Sequence, residues 1–264
     1  MHSFVIFFLL GSVGGFLSGL LGIGGALIMI PLMLETPPLL GLERLSMQEV
    51  SGLSMLQVIF ASVSGVIRHR KNRFVHVQLL IVLGLCMAIA SLVGAVVSRF
   101  MPETALMTVF GAMCIGASVM MVFPAPRQCE PDEACDLVPF RKSAAVATGI
   151  GVGLVAGMVG AGGGFLLIPL MIYGLRISVK VTVGTSLGVV LIGGLAGGLG
   201  KIATGQVVWI PALGLILGSI VMAQAGAMAS KKLSARCLRI LLLIVLLLSS
   251  VQIWREILLR VLAS

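Results

Sequence analysis

The sequence predicts an all-α integral membrane protein built from two inverted repeats, each a re-entrant half-helix hairpin followed by three transmembrane helices. Three observations predict this fold. The 264-residue chain is 59% hydrophobic with a mean hydropathy of +1.18, which is more apolar surface than a soluble domain can bury. A glycine-rich segment occurs twice inside long apolar runs, and the loops between the runs share the basic residues unevenly.

The repeated segment runs from Gly19 to Met33 and again from Gly157 to Met171, at a constant offset of 138 residues. The matching pairs are Gly19/Gly157, Gly22/Gly160, Gly24/Gly162, Gly25/Gly163, Pro31/Pro169 and Met33/Met171. After a shortened loop the correspondence continues at an offset of 132, as in Ser54 and Ser186. A break of this kind that occurs once in each half of a membrane protein indicates the binding site of a transporter.

The elements follow in order along two repeats and a linker. The first repeat, residues 1–123, has a hairpin at about 4–34 and spans at about 47–67, 75–98 and 104–123. A polar linker occupies 124–142, and the second repeat, 143–264, has a hairpin at about 143–175 and spans at about 177–200, 206–230 and 237–259. Each span has the roughly 20 residues that a bilayer requires. Each hairpin arm is too short to cross, so its glycine turn is predicted at membrane depth, buried in protein.

The loop charges support hairpins that enter and leave on one side. With that topology one face collects thirteen Lys and Arg residues and the other keeps five, namely Arg44, Arg99, Lys201, Arg255 and Arg260. The basic face is predicted to be cytoplasmic. Each repeat then crosses the membrane an odd number of times, so the second copy is inverted. Both termini are predicted to be periplasmic, and Cys129 and Cys135 in the cytoplasmic linker are expected to be reduced thiols.

The two glycine turns are the predicted binding elements. A helix start offers unpaired N–H groups and the positive end of the helix dipole, and glycine lets a ligand approach the backbone. Two such starts that meet near the midplane form an electropositive cup without a buried Lys or Arg, suited to a small oxyanion. Alternatively, the glycines only permit close helix packing. The predicted binding glycines are Gly22, Gly24 and Gly25 in the first copy and Gly160, Gly162, Gly163 and Gly164 in the second.

Hydroxyl groups follow each hairpin at the start of the next span: Ser51 and Ser54 in the first copy, Thr185 and Ser186 in the second. Such groups donate to an oxyanion without the cost of a buried charge. The alternative is that they bond to carbonyls of their own helices. Gln57, one turn beyond Ser54, is a weaker candidate donor.

Other kinds of site find little support. No Asp or Glu lies in the middle of a span, so a buried carboxylate relay is not expected. His69 and His76 flank a basic loop and are expected to face the headgroups. The net charge of +9 is explained by topology, so no nucleic-acid partner is predicted. No metal, cofactor or catalytic residue is predicted either.

The doubled pattern Gly-x-x-Gly-x-Gly-Gly, each copy followed by Pro-Leu-Met, resembles the sulfite exporter TauE/SafE family. Val183-Gly184-Thr185-Ser186-Leu187 and Gly205-Gln206-Val207 add to the resemblance, which covers nearly the whole chain. The first copy departs from the pattern at Ala26 and at Ser51-Gly52-Leu53-Ser54.

The resemblance implies a multi-pass permease of the bacterial cytoplasmic membrane that exports sulfite or an organosulfonate by alternating access. Its partners are then a small sulfur-containing anion and the lipid bilayer; no oligomeric state follows from the sequence. The alternatives are an uptake permease or a channel for another small oxyanion. An integral-membrane enzyme, or a sulfur-handling subunit that uses Cys129 and Cys135, is a further alternative.

Overall fold

The computed structural model describes residues 2–21, 25–69, 76–123, 141–177, 179–230, 233 and 235–263, and this part of the chain is all-helical. Its helices are α1 (His2–Leu21), α2 (Ala26–Leu39), α3 (Met47–His69), α4 (Val77–Ser98), α5 (Glu103–Val122), α6 (Lys142–Val159), α7 (Gly164–Pro169), α8 (Val179–Ala203), α9 (Trp209–Ser230) and α10 (Ala235–Ala263). A π-helical turn, Leu170–Gly174, continues α7 directly. The linker with Cys129 and Cys135 lies outside the described residues.

Seven helical segments within the described residues are long and apolar enough to cross a bilayer. These segments are Phe4–Leu21, Val77–Ser98, Glu103–Val122, Lys142–Val159, Gly184–Ala203, Trp209–Ser230 and Cys237–Arg260. Helix α3 has 23 residues and is also of spanning length. The protein is therefore an all-helical, multi-pass membrane protein.

The two arms of each hairpin are unequal. Helix α1 has 20 residues and α6 has 18, so each reaches close to the full thickness of a bilayer core. The second arms are short: α2 has 14 residues, and α7 with its π-helical turn runs only from Gly164 to Gly174. The expectation of two half-helices is therefore wrong for the first arm. The glycines of α1 and α6 do not end these helices, because they pack against other helices.

Glycines of the first arms form two equivalent helix contacts. In α1, an added Cβ on Gly15 would lie 2.5 Å from Ser219 Cα of α9, and one on Gly19 would lie 2.0 Å from the Ala223 carbonyl oxygen. Residue numbers rise together along this contact, so α1 and α9 run parallel. Such close approach of backbones is typical of small residues between membrane helices.

The second copy repeats this contact with its own residues. Gly153 of α6 approaches Met87 of α4, and Gly157 approaches Ser91, with added Cβ atoms 2.8 Å and 2.1 Å from backbone oxygens. These pairs are the first-copy pairs shifted by 138 in one helix and by 132 in the other. Each first arm therefore packs on a helix that belongs to the other copy.

Helices α3 and α8 hold equivalent places in the two copies and pack against each other. Gly194 of α8 lies against Ile59 of α3, and Gly197 lies against Met55. Residue numbers rise along α8 while they fall along α3, so the two helices run antiparallel.

Polar contacts mark the two ends of the bundle. At one end Arg44 pairs with Glu256, Arg255 with Glu35, and Arg260 with both Glu103 and Glu256. At the other end the Phe123 carbonyl accepts hydrogen bonds from the Arg239 guanidinium and, at 2.8 Å, from the Tyr173 hydroxyl. The exposed faces between the ends are largely apolar, as on Leu85, Ile89, Val221 and Leu248.

Candidate functional site

The second glycine break, Gly160–Gly163, joins α6 to α7. Gly160, Gly162 and Gly163 have φ values of 78°, 63° and 69°, which is left-handed backbone that favours glycine. The amides of Gly160 and Ala161 donate to the Ala156 carbonyl at 2.8 and 3.2 Å and close the end of α6. The amides of Gly162 and Gly163 have no acceptor among the described residues. The break therefore offers free backbone donors next to the start of α7.

The start of α7 lies deep in the bundle. An added Cβ on Gly163 would lie 2.8 Å from Met87, at the middle of the 22-residue α4, and 2.8 Å from Val152, near the middle of α6. The chain thus turns back beyond the centre of the bundle and begins its second arm at the level of that centre. Because this turn lies inside a bilayer-spanning helix bundle, protein surrounds it, and irregular backbone is tolerated there.

Two predicted hydroxyl residues of the first copy lie at this second break. The Ser54 hydroxyl donates to the Gly160 carbonyl at 2.9 Å and lies 3.2 Å from the Ser51 carbonyl oxygen. The Ser51 hydroxyl lies 3.5 Å from the Met158 carbonyl oxygen, a weak contact. Both residues are fully buried. In this conformation the two serine hydroxyls stabilise the turn at Gly160, and the hydrogen bond from Ser54 is the stronger one.

The first glycine break is described only at its end. Gly25, with φ 78°, precedes α2, whereas Gly22 and Gly24 lie outside the described residues. An added Cβ on Gly25 would lie 2.4 Å from the Gly14 carbonyl oxygen and 3.0 Å from Ser18. Since Gly15 faces Ser219 at the middle of the 22-residue α9, α2 also begins near the centre of the bundle.

Thr185, the first hydroxyl residue of the second copy, lies at the start of α4. Thr185 is fully buried, and its Oγ1 accepts a hydrogen bond of 3.1 Å from the backbone N–H of His76. Ser186 is also fully buried. The described hydrogen bond of Thr185 is with His76 and not with the second break. Ser51 and Ser54 therefore lie at the second break, and Thr185 lies at the start of α4.

His76 does not face the headgroups, contrary to expectation. Its side chain is buried, and Nδ1 accepts from the Leu79 N–H at 3.1 Å as the N-cap of α4. The backbone N–H of His76 donates the hydrogen bond that Thr185 Oγ1 accepts. Capping of a helix start satisfies an otherwise unpaired amide, which accounts for a buried polar ring at this place.

Lys201 is the functional candidate that sequence reasoning missed. The sequence predicts a loop position for it, but its side chain is fully buried at the end of α8. The ammonium donates to the Ser98 hydroxyl at 2.6 Å, to Gln206 Oε1 at 2.9 Å and to the Met158 carbonyl at 3.0 Å. Met158 is two residues before Gly160, so this cation lies beside the second break.

The hydrogen-bond partners of the Lys201 amine are neutral oxygen atoms. Among the described residues Lys201 is the one fully buried Lys, Arg, Asp or Glu, and no carboxylate contacts it. A positive charge that is held by neutral groups alone gives the interior a net attraction for anions. A lone lysine inside an otherwise apolar run is the sequence signal that could have identified it.

The family described as Sulfite exporter TauE/SafE matches residues 7–253. The chain belongs to the sulfite exporter TauE/SafE family. The resemblance seen in the sequence is thereby confirmed, and the protein is a membrane transporter and not an enzyme. Family membership implies a small sulfur-containing anion as the substrate.

Curated relatives of this TauE/SafE protein carry transporter names. It is 26% identical over 268 residues to the probable membrane transporter protein YunE of Bacillus subtilis, covering 96% of this chain and 98% of the relative. It is 27% identical to the probable membrane transporter protein MJ0441 of Methanocaldococcus jannaschii, with 89% of each chain covered. It is 26% identical to a probable membrane transporter protein of Haemophilus influenzae, with 90% and 94% covered. No solved structure gives a significant match.

Proposed function

We propose that this TauE/SafE protein exports a small sulfur-containing anion, sulfite or an organosulfonate, across the bacterial cytoplasmic membrane. The observation that carries the proposal is the buried charge. Lys201 is fully buried beside the second break, and no buried Asp or Glu accompanies it among the described residues. An interior of this sign attracts an anion and repels a cation.

The anion is held at the two glycine breaks near the bilayer midplane. Supporting this site, Gly163 lies against Met87 at the middle of α4, and the amides of Gly162 and Gly163 have no acceptor in the described chain. The positive ends of α2 and of the helical segment from Gly164 face the same depth. The proposed binding residues are Gly22, Gly24, Gly25, Ser51, Ser54, Gly160, Gly162, Gly163, Gly164, Thr185 and Ser186.

Within this set the hydroxyl groups have different roles. Ser54 positions the second break through the Gly160 carbonyl. Thr185 accepts from His76 and still has its own O–H proton to donate, since a threonine hydroxyl is one donor and two acceptors. Thr185 is thus better suited than Ser54 to donate to an anion.

The transport mechanism is alternating access between two inverted repeats. The antiparallel course of α3 and α8 supports inversion, because these helices hold equivalent places in the two copies. Helix α1 of the first copy packs on α9 of the second, and α6 of the second copy packs on α4 of the first. This reciprocal packing supports a symmetry axis that relates the two copies. Rocking of such repeats about a fixed central site exposes it to one side at a time.

The outward direction follows from energetics. The ion-paired end that includes Arg44, Glu103 and Glu256 is periplasmic in this proposal, as are both termini, and the end with Arg239 is cytoplasmic. With an inside-negative potential, the exit of an anion is favourable by about 2.3 kcal/mol per charge per 100 mV. Export therefore needs no proton carrier within the membrane.

Flux in proteoliposomes tests the function. The purified protein is reconstituted, and efflux of radiolabelled sulfite and sulfoacetate is measured under an imposed potassium diffusion potential of either sign. We expect the wild type to release anions faster when the lumen is negative. Protein-free liposomes give the leak rate. Wild-type rates that equal this leak for the sulfur anions would refute the proposal.

Two glycine variants test the location of the site. Gly163→Ala places a Cβ at φ 69°, within 3 Å of Met87, Val152 and Ala156, and is expected to abolish flux. Gly151→Ala is the matched control, because Gly151 lies in α6 with no neighbouring atom within 4 Å of an added Cβ. Unchanged flux in folded Gly163→Ala would remove the second break from the site.

A further inference from the structure

Gly25 and Gly163, the last glycines before α2 and α7, both have left-handed backbone but different side chains around them. At the second break Gly163 lies against Val152 and Ala156. Both belong to one buried apolar cluster that also contains Leu167 and Val189. The surroundings of Gly163 are thus free of polar side chains at these four positions.

The corresponding positions of the first break are partly polar. At offsets of 138 and 132, Val152, Ala156, Leu167 and Val189 correspond to Gly14, Ser18, Met29 and Gln57. The structure confirms that these residues are neighbours. An added Cβ on Gly14 would lie 2.2 Å from Gln57 Nε2 and 2.4 Å from Met29 Cγ, and Gly25 lies against Gly14 and Ser18.

The polar side chains at the first break lack partners. Ser18 and Gln57 are both 0% exposed. Neither the Ser18 hydroxyl nor either end of the Gln57 amide has a hydrogen-bond partner in the described part of the chain. Buried polar groups in native proteins are almost always paired, and an unpaired one is destabilising. Two such groups beside one helix start therefore indicate a ligand that forms hydrogen bonds with them.

The fold itself does not require polar residues here. The second copy builds the same contact from alanine and valine at the positions of Ser18 and Gln57. The polar pair is therefore specific to the first break. Helix α2, which begins at Ala26 directly after Gly25, has 14 residues and directs its positive end to the same place.

From these contacts we infer that Gln57 and Ser18, beside the start of α2, carry the polar recognition of the transported anion, whereas Gly163 before α7 is packed against apolar groups. Gln57 Nε2 and the Ser18 hydroxyl donate to oxygens of the sulfur oxyanion at the start of α2. Gln57 Oε1 accepts from a hydroxyl group of the substrate or from a water molecule that enters with it. This inference rests on the proposed function and assigns its specificity to one half of the protein.

The test replaces the polar side chains beside the first break with the side chains found at the equivalent positions of the second copy. The double variant Ser18→Ala with Gln57→Val carries the residues that the second copy has at these positions. The melting temperature of the detergent-purified protein is measured against increasing sulfite, sulfoacetate and sulfolactate. We expect an unchanged or higher melting temperature without anion, since unpaired polar groups are removed. We expect stabilisation by the anions to need at least about tenfold more ligand, the equivalent of one lost hydrogen bond.

Matched control variants distinguish a loss of anion recognition from a general effect of replacing a glutamine and a serine. Gln78 is exposed at the start of α4, and the Ser118 hydroxyl donates to the Cys114 carbonyl of its own helix. The double variant Gln78→Val with Ser118→Ala is expected to keep the wild-type response. The single variant Gln57→Met, of similar volume, provides a second folded protein in which the amide is absent.

The outcomes distinguish the inference from the proposed function. If the wild type responds to the sulfur anions and both Gln57 variants respond equally, the inference is overturned and the function stands. If the Gln57 variants melt lower without ligand and keep their affinity, the pair is structural and the inference is again overturned. If the wild type neither binds nor transports these anions, the proposed function fails and the inference fails with it. A response to sulfolactate that is lost more than the response to sulfite supports the role of Oε1.

Discussion

At the scale of single residues, the ammonium of Lys201 is the group that sets the electrostatics of the interior. Its three hydrogen bonds are to neutral oxygens, and among the described residues no carboxylate offsets its charge. One of these bonds is to Met158, in the last turn of α6, where a cation is favoured by the helix dipole. Lys201 thus contacts the end of α6 beside the second break, and in the proposed function its positive charge also attracts the anion.

Replacement of Lys201 by methionine tests this attraction. At an effective dielectric constant of about 20, a unit charge about 10 Å away contributes roughly 1.7 kcal/mol, which is more than tenfold in affinity. We expect Lys201→Met to weaken anion-dependent thermal stabilisation by about that factor. Arg99→Met removes an exposed, solvent-screened cation at the end of α4 and is expected to leave the affinity within about twofold. Equal responses of the two variants would contradict the assigned role.

Ser54 gives a second prediction at this scale. The variant Ser54→Ala leaves the Gly160 carbonyl without its 2.9 Å hydrogen bond and is expected to lower the free energy of unfolding by about 1–2 kcal/mol. Ser118→Ala removes a hydroxyl that bonds within α5 and is expected to cost at most about 0.5 kcal/mol. Unfolding of the two variants in mixed detergent micelles measures the difference, and equal stabilities would show that Ser54 does not hold the turn.

The sequence predicted some features of the proposed site and not others, for physical reasons. The glycines were recognisable because left-handed backbone needs glycine, and Gly160, Gly162 and Gly163 have positive φ values. The burial of Lys201 was missed, because it depends on contacts with Ser98 and Met158, which come from distant parts of the chain. A single sequence also gives no sign that Gln57 lies beside Gly14.

At the scale of helices, the glycines of α1 and α6 act as contact surfaces. An added Cβ on Gly19 or Gly157 would lie about 2 Å from a backbone oxygen of the partner helix, which no side-chain adjustment can relieve. This dependence on a remote partner explains why the sequence predicted shorter first arms. A glycine in isolation weakens a helix, whereas at a close contact between membrane helices the packing it permits offsets that cost.

The equivalence of the two contacts leads to a paired prediction. Gly19→Leu and Gly157→Leu are both expected to prevent recovery of folded protein, because each forces apart two parallel helices. Gly151→Leu, on the open face of α6, is expected to be recovered at wild-type yield. Fluorescence size-exclusion chromatography of the three variants measures the yield of monodisperse protein. Normal yields of either buried variant would contradict the packing.

At the scale of the whole molecule, polar contacts between distant segments define two ends. Arg44, Glu103 and Glu256, from three separate parts of the chain, lie together at one end. The sequence predicted from loop charges alone that Arg44 and Arg260 share one side, and both contact Glu256 in the structure. The start of α7 at the middle of the bundle, and the packing of α1 on α9 and of α6 on α4, could be seen only in the structure.

Labelling of introduced cysteines tests the orientation of this bundle. Phe100 and Phe123 are exposed and flank α5, so they lie at its opposite ends. In a background without the native cysteines, we expect Phe100→Cys to react with an impermeant maleimide in intact cells. We expect Phe123→Cys to react only after permeabilisation. The reverse pattern would place the termini in the cytoplasm and turn the proposed exporter around.

The packing of α1 on α9 and of α6 on α4 also constrains biosynthesis. The glycine face of α1 is made first, but its partner residues in α9 follow about 200 residues later. At roughly 5–20 residues per second, α1 waits about 10–40 s in the membrane before that helix leaves the ribosome. Neither half contains a complete core of its own, so the nascent chain acquires its native interior only when translation is nearly finished.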